Sequence, residues 1–212
     1  MKELFLDQLS IVNYRNLTGI DFSLDRNINC FVGNNGVGKT NALDAIYFLA
    51  MGKSYSNSIT SQNISHQADF SMIEGVFDKS GKSLRIQCHF EREGKKTIKR
   101  NRKAYKKIAD HVGLIPVVII SPTDRDLILE GSSVRRKFLD RTISQSNKSY
   151  LQNLIAYQRT LNQRNALLKH FASSNKFDKD TLSVFNEKLV QFGQPIHQAR
   201  KEFVEGFQPL FH

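Results

Sequence analysis

Gly33-Asn34-Asn35-Gly36-Val37-Gly38-Lys39-Thr40 fits the pattern glycine, any four residues, Gly-Lys-Ser/Thr, the signature of a phosphate-cradling P-loop. The chemistry needs these residue types in this order. Glycines allow turns that a side chain would forbid, and they bring backbone N–H groups close to an anion. Those groups form a nest, backed by the positive end of the helix that follows. Lys39 supplies a compact charge for the β- and γ-phosphates, and the Thr40 hydroxyl suits a Mg²⁺ beside the same oxygens. Just upstream, residues 28–32 (Ile-Asn-Cys-Phe-Val) read as a short strand feeding the loop. Downstream, residues 41–50 read as a helix, with Leu43, Ile46, Tyr47 and Ala50 at helical spacing. Gly52 suits its C-cap. The loop predicts binding of a nucleoside polyphosphate with its magnesium.

The 212 residues suffice for one large domain or two small ones, and 40% hydrophobic with 24% charged residues is a globular composition. No apolar run approaches the ~20 residues of a membrane-spanning helix. Acidic residues appear too early, at Glu3 and Asp7, for a signal peptide, so a cytoplasmic location is expected. Cys30 and Cys88 both fall in predicted strands and are expected to be reduced core residues. The histidines show no ligand spacing, and no protein-bound metal cluster is expected.

The formal net charge is +11. Such a balance favours a polyanionic partner, with nucleic acid ahead of membrane. Residues 92–107 hold nine Lys or Arg against the single Glu93. Lys95, Lys96, Lys99, Arg100, Arg102, Lys103, Lys106 and Lys107 are the candidate DNA-contacting residues. Tyr105 is the one aromatic among them, which disfavours a base-stacking platform and favours contact with the phosphate backbone, without sequence reading. A solubilising hairpin that discourages edge pairing is the competing explanation.

Elsewhere, residues 4–12 alternate imperfectly, and Asn13-Tyr14-Arg15-Asn16 is a turn before a second strand at 19–24. Strands at 71–78 and 83–92 join through Lys79-Ser80-Gly81-Lys82. A shorter hairpin is expected around Asn101-Arg102-Lys103. Residues 115–120 (Ile-Pro-Val-Val-Ile-Ile) read as a strand buried on both faces. Helices are then expected at 132–141, with Ser132 as N-cap, at 150–170, at 181–192, and at 196–207 after a kink or restart at Pro195. This places an α/β domain at 1–131 and an all-helical one at 132–212.

Four stretches together resemble the RecF family of ABC-type, SMC-related ATPases. They are residues 9–16; the P-loop and helix from Val32 to Ala50; Ser121-Pro122-Thr123-Asp124 with Arg135-Arg136-Lys137-Phe138-Leu139-Asp140; and Tyr157-Gln158 with Gln163-Arg164-Asn165-Ala166-Leu167-Leu168. The resemblance implies the N-terminal lobe of an ABC-ATPase head, with mixed and antiparallel strands, followed by a helical arm. It implies ATP and Mg²⁺ as ligands, held by Gly33, Asn34, Asn35, Gly36, Val37, Gly38, Lys39, Thr40 and Asn41. It places Arg15 and Asn16 near the nucleotide. As partners it implies DNA, other recombination mediator proteins and, in the full-length protein, an ATP-dependent homodimer acting in DNA repair, replication and the SOS response. No membrane partner is implied.

No apolar strand ends in Asp-Asp or Asp-Glu, and Ser-x-Gly-Gln is absent. The family has these acidic Walker B and signature motifs beyond its arm. The resemblance therefore implies roughly the N-terminal half of a longer protein, which binds ATP without turnover by itself, and no catalytic residue is assigned. Arg135, Arg136 and Arg141 are either a solvated helix face or phosphate contacts. Asp124 and Asp126 are expected to start a helix or turn rather than act as an acid/base pair. Two other readings are a non-enzymatic DNA-binding module with a vestigial P-loop, and the head of a different SMC-like ATPase. A self-sufficient P-loop kinase fits poorly with antiparallel strands around the loop.

Overall fold

A computed structural model describes residues 4–211. The chain divides into two compact units, Met1–Ile119 and Ile120–His212. The division falls ahead of Ser121-Pro122, so that block belongs with the helices.

The first unit is a six-stranded sheet with one helix across it. In chain order the strands are β1 (Leu4–Tyr14), β2 (Leu17–Ser23), β3 (Phe70–Lys79), β4 (Lys82–Glu91), β5 (Thr97–Arg100) and β6 (Lys103–Ala104); α1 (Lys39–Met51) lies between β2 and β3. The spatial order is β2-β1-β3-β4-β5-β6, and every pairing is antiparallel.

Period-2 alternation aligns one buried face across the ladder. Ile11 sits opposite Ile73, which sits opposite Cys88, which sits opposite Ile98; all four are at most 1% exposed. The imperfect alternation of β1 has a physical cause. Its register against β3 shifts between Leu6 and Gln8, and a bulge moves the apolar phase from even to odd positions. Gly75 on β3 marks a close approach, since a Cβ there would lie 2.7 Å from Leu49 Cδ1 of α1. The helix settles over that gap and buries Phe48 and Leu49 completely.

Two expected strands do not form. Residues 28–32 and 115–120 carry no strand; Ile115 is buried, but Ile28, Val32, Val118 and Ile120 are 81, 91, 85 and 87% exposed. A β-branched run becomes a buried strand only where neighbours hydrogen-bond its edges and cover its faces. Among the described residues no strand does so for these runs, and the parallel component expected of a mixed sheet is missing with them. Cys30 is consequently exposed, against expectation, while Cys88 is buried in β4. Burial pushes the Cys88 thiol up to about 12, so it stays a neutral core residue.

The second unit holds a short helix α2 (Asp126–Leu129) and three longer ones, α3 (Ser132–Ser146), α4 (Lys148–Ser174) and α5 (Lys179–Phe207). Gly131, not Ser132, occupies the N-cap of α3, and Asn147 caps α4 by accepting from Tyr150 N–H. Asp178 caps α5 through Asp180 N–H and Thr181 N–H. That helix runs through Pro195 without the expected restart. Ile196, the next residue, is buried with Ile143 and Tyr150, against Leu139, Leu154, Tyr157 and Phe203. This packing offsets the backbone bond that the proline removes. Beside that core Arg200 forks onto Asp140 at 2.7 and 3.0 Å, and Tyr150 Oη donates to the same carboxylate. The pair ties α3 to α5.

Candidate nucleotide site and basic hairpin

The P-loop takes the conformation its glycines permit. Gly36 and Gly38 have φ of +85° and +106°, in the left-handed region that disfavours side chains. Gly38 stands at the N-cap of α1, where no side chain caps the helix. The first amide N–H groups of α1 therefore open onto the loop, and these are the unpaired donors that bind an anion. Lys39 Nζ donates to Gly33 O at 2.9 Å and Asn34 O at 2.8 Å, so its charge is held over the loop it serves. Thr40 is exposed beside it.

Arg15 and Asn16, in the turn between β1 and β2, differ in what they do. Asn16 Nδ2 donates to Gly36 O at 2.6 Å, and Asn16 Oδ1 accepts from Asn41 Nδ2 at 2.7 Å. Asn16 thus touches the P-loop directly. Arg15 turns away into a buried network. Its guanidinium pairs with Asp44 at 2.8 Å. It also donates to Asn41 Oδ1, Ser54 Oγ, Ser56 Oγ and Asn63 Oδ1, at 2.7–3.0 Å. Arg15 itself sits at φ +53°.

Asp44 is the hub. It is 2% exposed and accepts from Tyr14 Oη at 2.6 Å, Ser54 Oγ at 2.8 Å and Tyr55 N–H at 2.7 Å. Burial, then the Asp44 charge, pushes the Tyr14 hydroxyl far above its ordinary range, so it remains a donor at every working pH. An unbroken polar path therefore runs from Gly36 through Asn16, Asn41 and Arg15 to Asp44 and the 54–63 loop.

The far end of α1 is capped by groups distant in sequence. Gly52 (φ +66°) closes the helix by donating to Phe48 O, and Lys96 Nζ donates to Gly52 O at 2.8 Å. Burial lowers the Lys96 pKa. Of the eight basic candidates, Lys96 is thus the one whose charge is committed to a helix end. Arg92 is similarly engaged, donating to Ser65 O and Ala68 O at 2.8 and 3.0 Å. Lys95, Arg100, Arg102, Lys103, Lys106 and Lys107 are exposed and Lys99 half-buried. None of the seven makes an ion pair among the described residues.

His111 completes this end. It is fully buried, and its Nε2 lies 2.6 Å from Leu49 O. A carbonyl only accepts, so Nε2 carries the proton; Nδ1 has no partner among the described residues. Burial first, and the Arg100 charge further, lower its pKa, against an opposing effect of the Leu49 bond. The neutral form is the folded form. Stability is therefore full above about pH 6.5, where unfolded histidine is also neutral, and falls as pH drops below it, by at most about 1.4 kcal/mol per pH unit. Urea melts at descending pH should show this slope, and His111→Gln, which keeps a donor for Leu49, should flatten it.

In the second unit, Asp124 serves the turn: Ser121 N–H donates to its carboxylate at 2.7 Å. Asp126 begins α2. Arg135 donates to Leu127 O and Glu130 O, both at 3.2 Å, and Arg136 to Ser132 Oγ at 2.7 Å.

A glycine-shaped loop on an uncapped helix N-terminus, with its lysine folded over it beside an antiparallel sheet, is the P-loop side of an ATPase head. The chain belongs to the AAA domain family, whose pattern matches residues 8–203. It is 54% identical over 207 residues to the DNA replication and repair protein RecF of Flavobacterium johnsoniae, covering 98% of this chain and 58% of the relative. The RecF of Bacteroides thetaiotaomicron is 43% identical over 209 residues, with coverage of 98% and 56%. Among solved structures, the recombination mediator protein RecF of the RecFOR pathway, determined as RecF-ATPrS, superimposes with a TM-score of 0.89 at 33% identity, covering 96% of this chain and 55% of that one. An SMC ATPase, at 17% identity and a TM-score of 0.52 over 68% of this chain, shares the fold. The chain thus spans a little over half the length of the curated relatives it matches.

Proposed function

We propose that this chain is the ATP-binding and DNA-binding part of a RecF-like repair and replication protein. The observation that carries the reading is the P-loop itself. The cradle has three positive-φ glycines, no competing side-chain cap at the helix start, and a lysine already held at its mouth. These residues fit a triphosphate: Gly33 to Lys39 would hold its phosphates and Thr40 its Mg²⁺. When bound, the metal would draw charge from the phosphate oxygens. Asn16 and Asn41 hold the loop in shape, and Arg15 fixes that turn from behind.

In this reading two such heads close over nucleotide in the full-length protein, and DNA and other mediator proteins are its partners. The 212 residues contain no acidic Walker B strand end and no Ser-x-Gly-Gln, so hydrolysis by this chain alone is expected to be negligible. The exposed side chains of Ile28, Val32, Val118 and Ile120 are ones that a further strand-bearing segment would cover. Among the described residues no helix is long and apolar enough to cross a membrane.

The hairpin formed by β5 and β6 is the proposed DNA-contacting surface. Fluorescence anisotropy with a labelled duplex tests it, comparing the parent with Lys99→Glu/Lys103→Glu. The double variant is expected to bind at least about tenfold more weakly, with the salt slope of log K reduced by about two. Unchanged affinity and slope would remove the hairpin from the DNA surface.

A further inference from the structure

Four residues at the end of this hairpin carry features that ordinary stability does not explain. The register Arg100↔Lys103 leaves two residues, Asn101 and Arg102, in the loop. Their φ values of +46° and +70° are those of a type I′ turn, whose second position is the usual place of glycine. Here it holds an arginine, in a conformation that costs a side-chain-bearing residue. The pair directly behind it, Arg100 opposite Lys103, sets like charges face to face, which destabilises a ladder.

The turn is nonetheless rigid. Asn101 N–H donates to Arg85 O at 2.8 Å, and Asn101 Oδ1 accepts from Arg85 N–H at 2.9 Å. Arg85 is in turn paired to Glu74 at 2.7 Å. With Asn101 turned back onto β4, Arg102 is the exposed basic residue at the tip. The root is equally fixed, since Lys96 is bonded to Gly52 O and Gly52 leaves space that Ile98 and Ile108 fill.

Resting on the DNA-binding reading, we propose that Arg102 is a pre-positioned probe for the minor groove of duplex DNA, with Arg100 and Lys103 on the flanking phosphates. A single guanidinium on a two-residue tip fits the ≈ 6 Å minor groove, whereas the ≈ 12 Å major groove would take the whole two-stranded ribbon. Narrow A·T-rich minor grooves have the negative potential that draws arginine. Local strain and like-charge crowding are tolerated where the groups they hold have a use.

The test separates function from stability because the two move in opposite directions. Arg102→Gly relieves the turn and should melt no lower than the parent. It should bind a short A·T-rich duplex about tenfold more weakly, with Arg102→Lys recovering only part. Filling the minor groove beforehand with netropsin should erase the difference between parent and Arg102→Gly. If Arg102→Gly binds as tightly as the parent while Lys99→Glu/Lys103→Glu binds weakly, the probe is refuted and the DNA surface stands. If the parent binds but neither variant changes affinity, the hairpin reading fails as well. A loss that persists on the netropsin-filled duplex places Arg102 outside the minor groove and also overturns the inference.

Discussion

Asp44→Ala should lower the unfolding free energy of the sheet unit by about 3–5 kcal/mol. The carboxylate is 2% exposed, and its removal leaves the Arg15 guanidinium without its counter-ion while the Arg15 side chain is only 20% exposed. Tyr14 Oη, Ser54 Oγ and Tyr55 N–H lose their acceptor at the same time, and buried donors without partners are costly. Asp44→Asn keeps an acceptor but not the charge, and should lose a smaller part. Denaturant melts of the two variants provide the check. A loss below about 1 kcal/mol for Asp44→Ala would show that the network is not holding the turn, the helix and the 54–63 loop together.

Gly38→Ala should weaken Mg-ATP binding at least about tenfold and destabilise the fold by about 1–3 kcal/mol. Two causes act together there. The backbone is at φ +106°, and a Cβ would lie 2.5 Å from Leu17 Cδ2 and 2.9 Å from Asn16 Oδ1. Moving Asn16 disturbs its bond to Gly36 O, so the cost reaches the loop that holds phosphate. Gly36→Ala is the informative comparison. Its φ is +85°, but nothing lies within 4 Å of a Cβ built there. It isolates backbone strain from steric contact, and should show the smaller loss by calorimetry and thermal melting.

The parts of the molecule readable from residue order are those that depend on local pattern. The P-loop, its helix ending at Gly52 and the hairpin turned at Ser80-Gly81 all obey short-range rules, whereas the turn expected around Asn101-Arg102-Lys103 closes over Asn101 and Arg102 alone, with arginine where such a turn usually has glycine. The helix nonetheless starts at Lys39 rather than Asn41, and Leu43 is 45% exposed. α1 is covered on several sides, so an amphipathic stripe describes it poorly.

The runs at 28–32 and 115–120 form no strand for a different reason. Apolar β-branched composition reports a capacity to be buried in a sheet, and whether a strand forms depends on edges supplied from elsewhere. The Asp44 network was also invisible to motif reading, because its members, Tyr14, Arg15, Asp44, Ser54 and Asn63, meet only in the fold. One signal was present. Asp44 is the one charged residue in the otherwise apolar stretch 42–51, and a lone carboxylate there needs partners. His111 had no such signal, since its acceptor is a main-chain carbonyl.

Residues 33–40 are the proposed nucleotide cradle. The most direct test is a calorimetric titration of Mg-ATP into the purified chain, with Lys39→Ala alongside. Saturable binding is expected in the parent, with a loss of at least about a hundredfold when the lysine that now caps Gly33 O and Asn34 O is removed. A well-folded parent that takes up no Mg-ATP, or one that binds it equally well without Lys39, would mean that residues 33–40 do not hold the nucleotide.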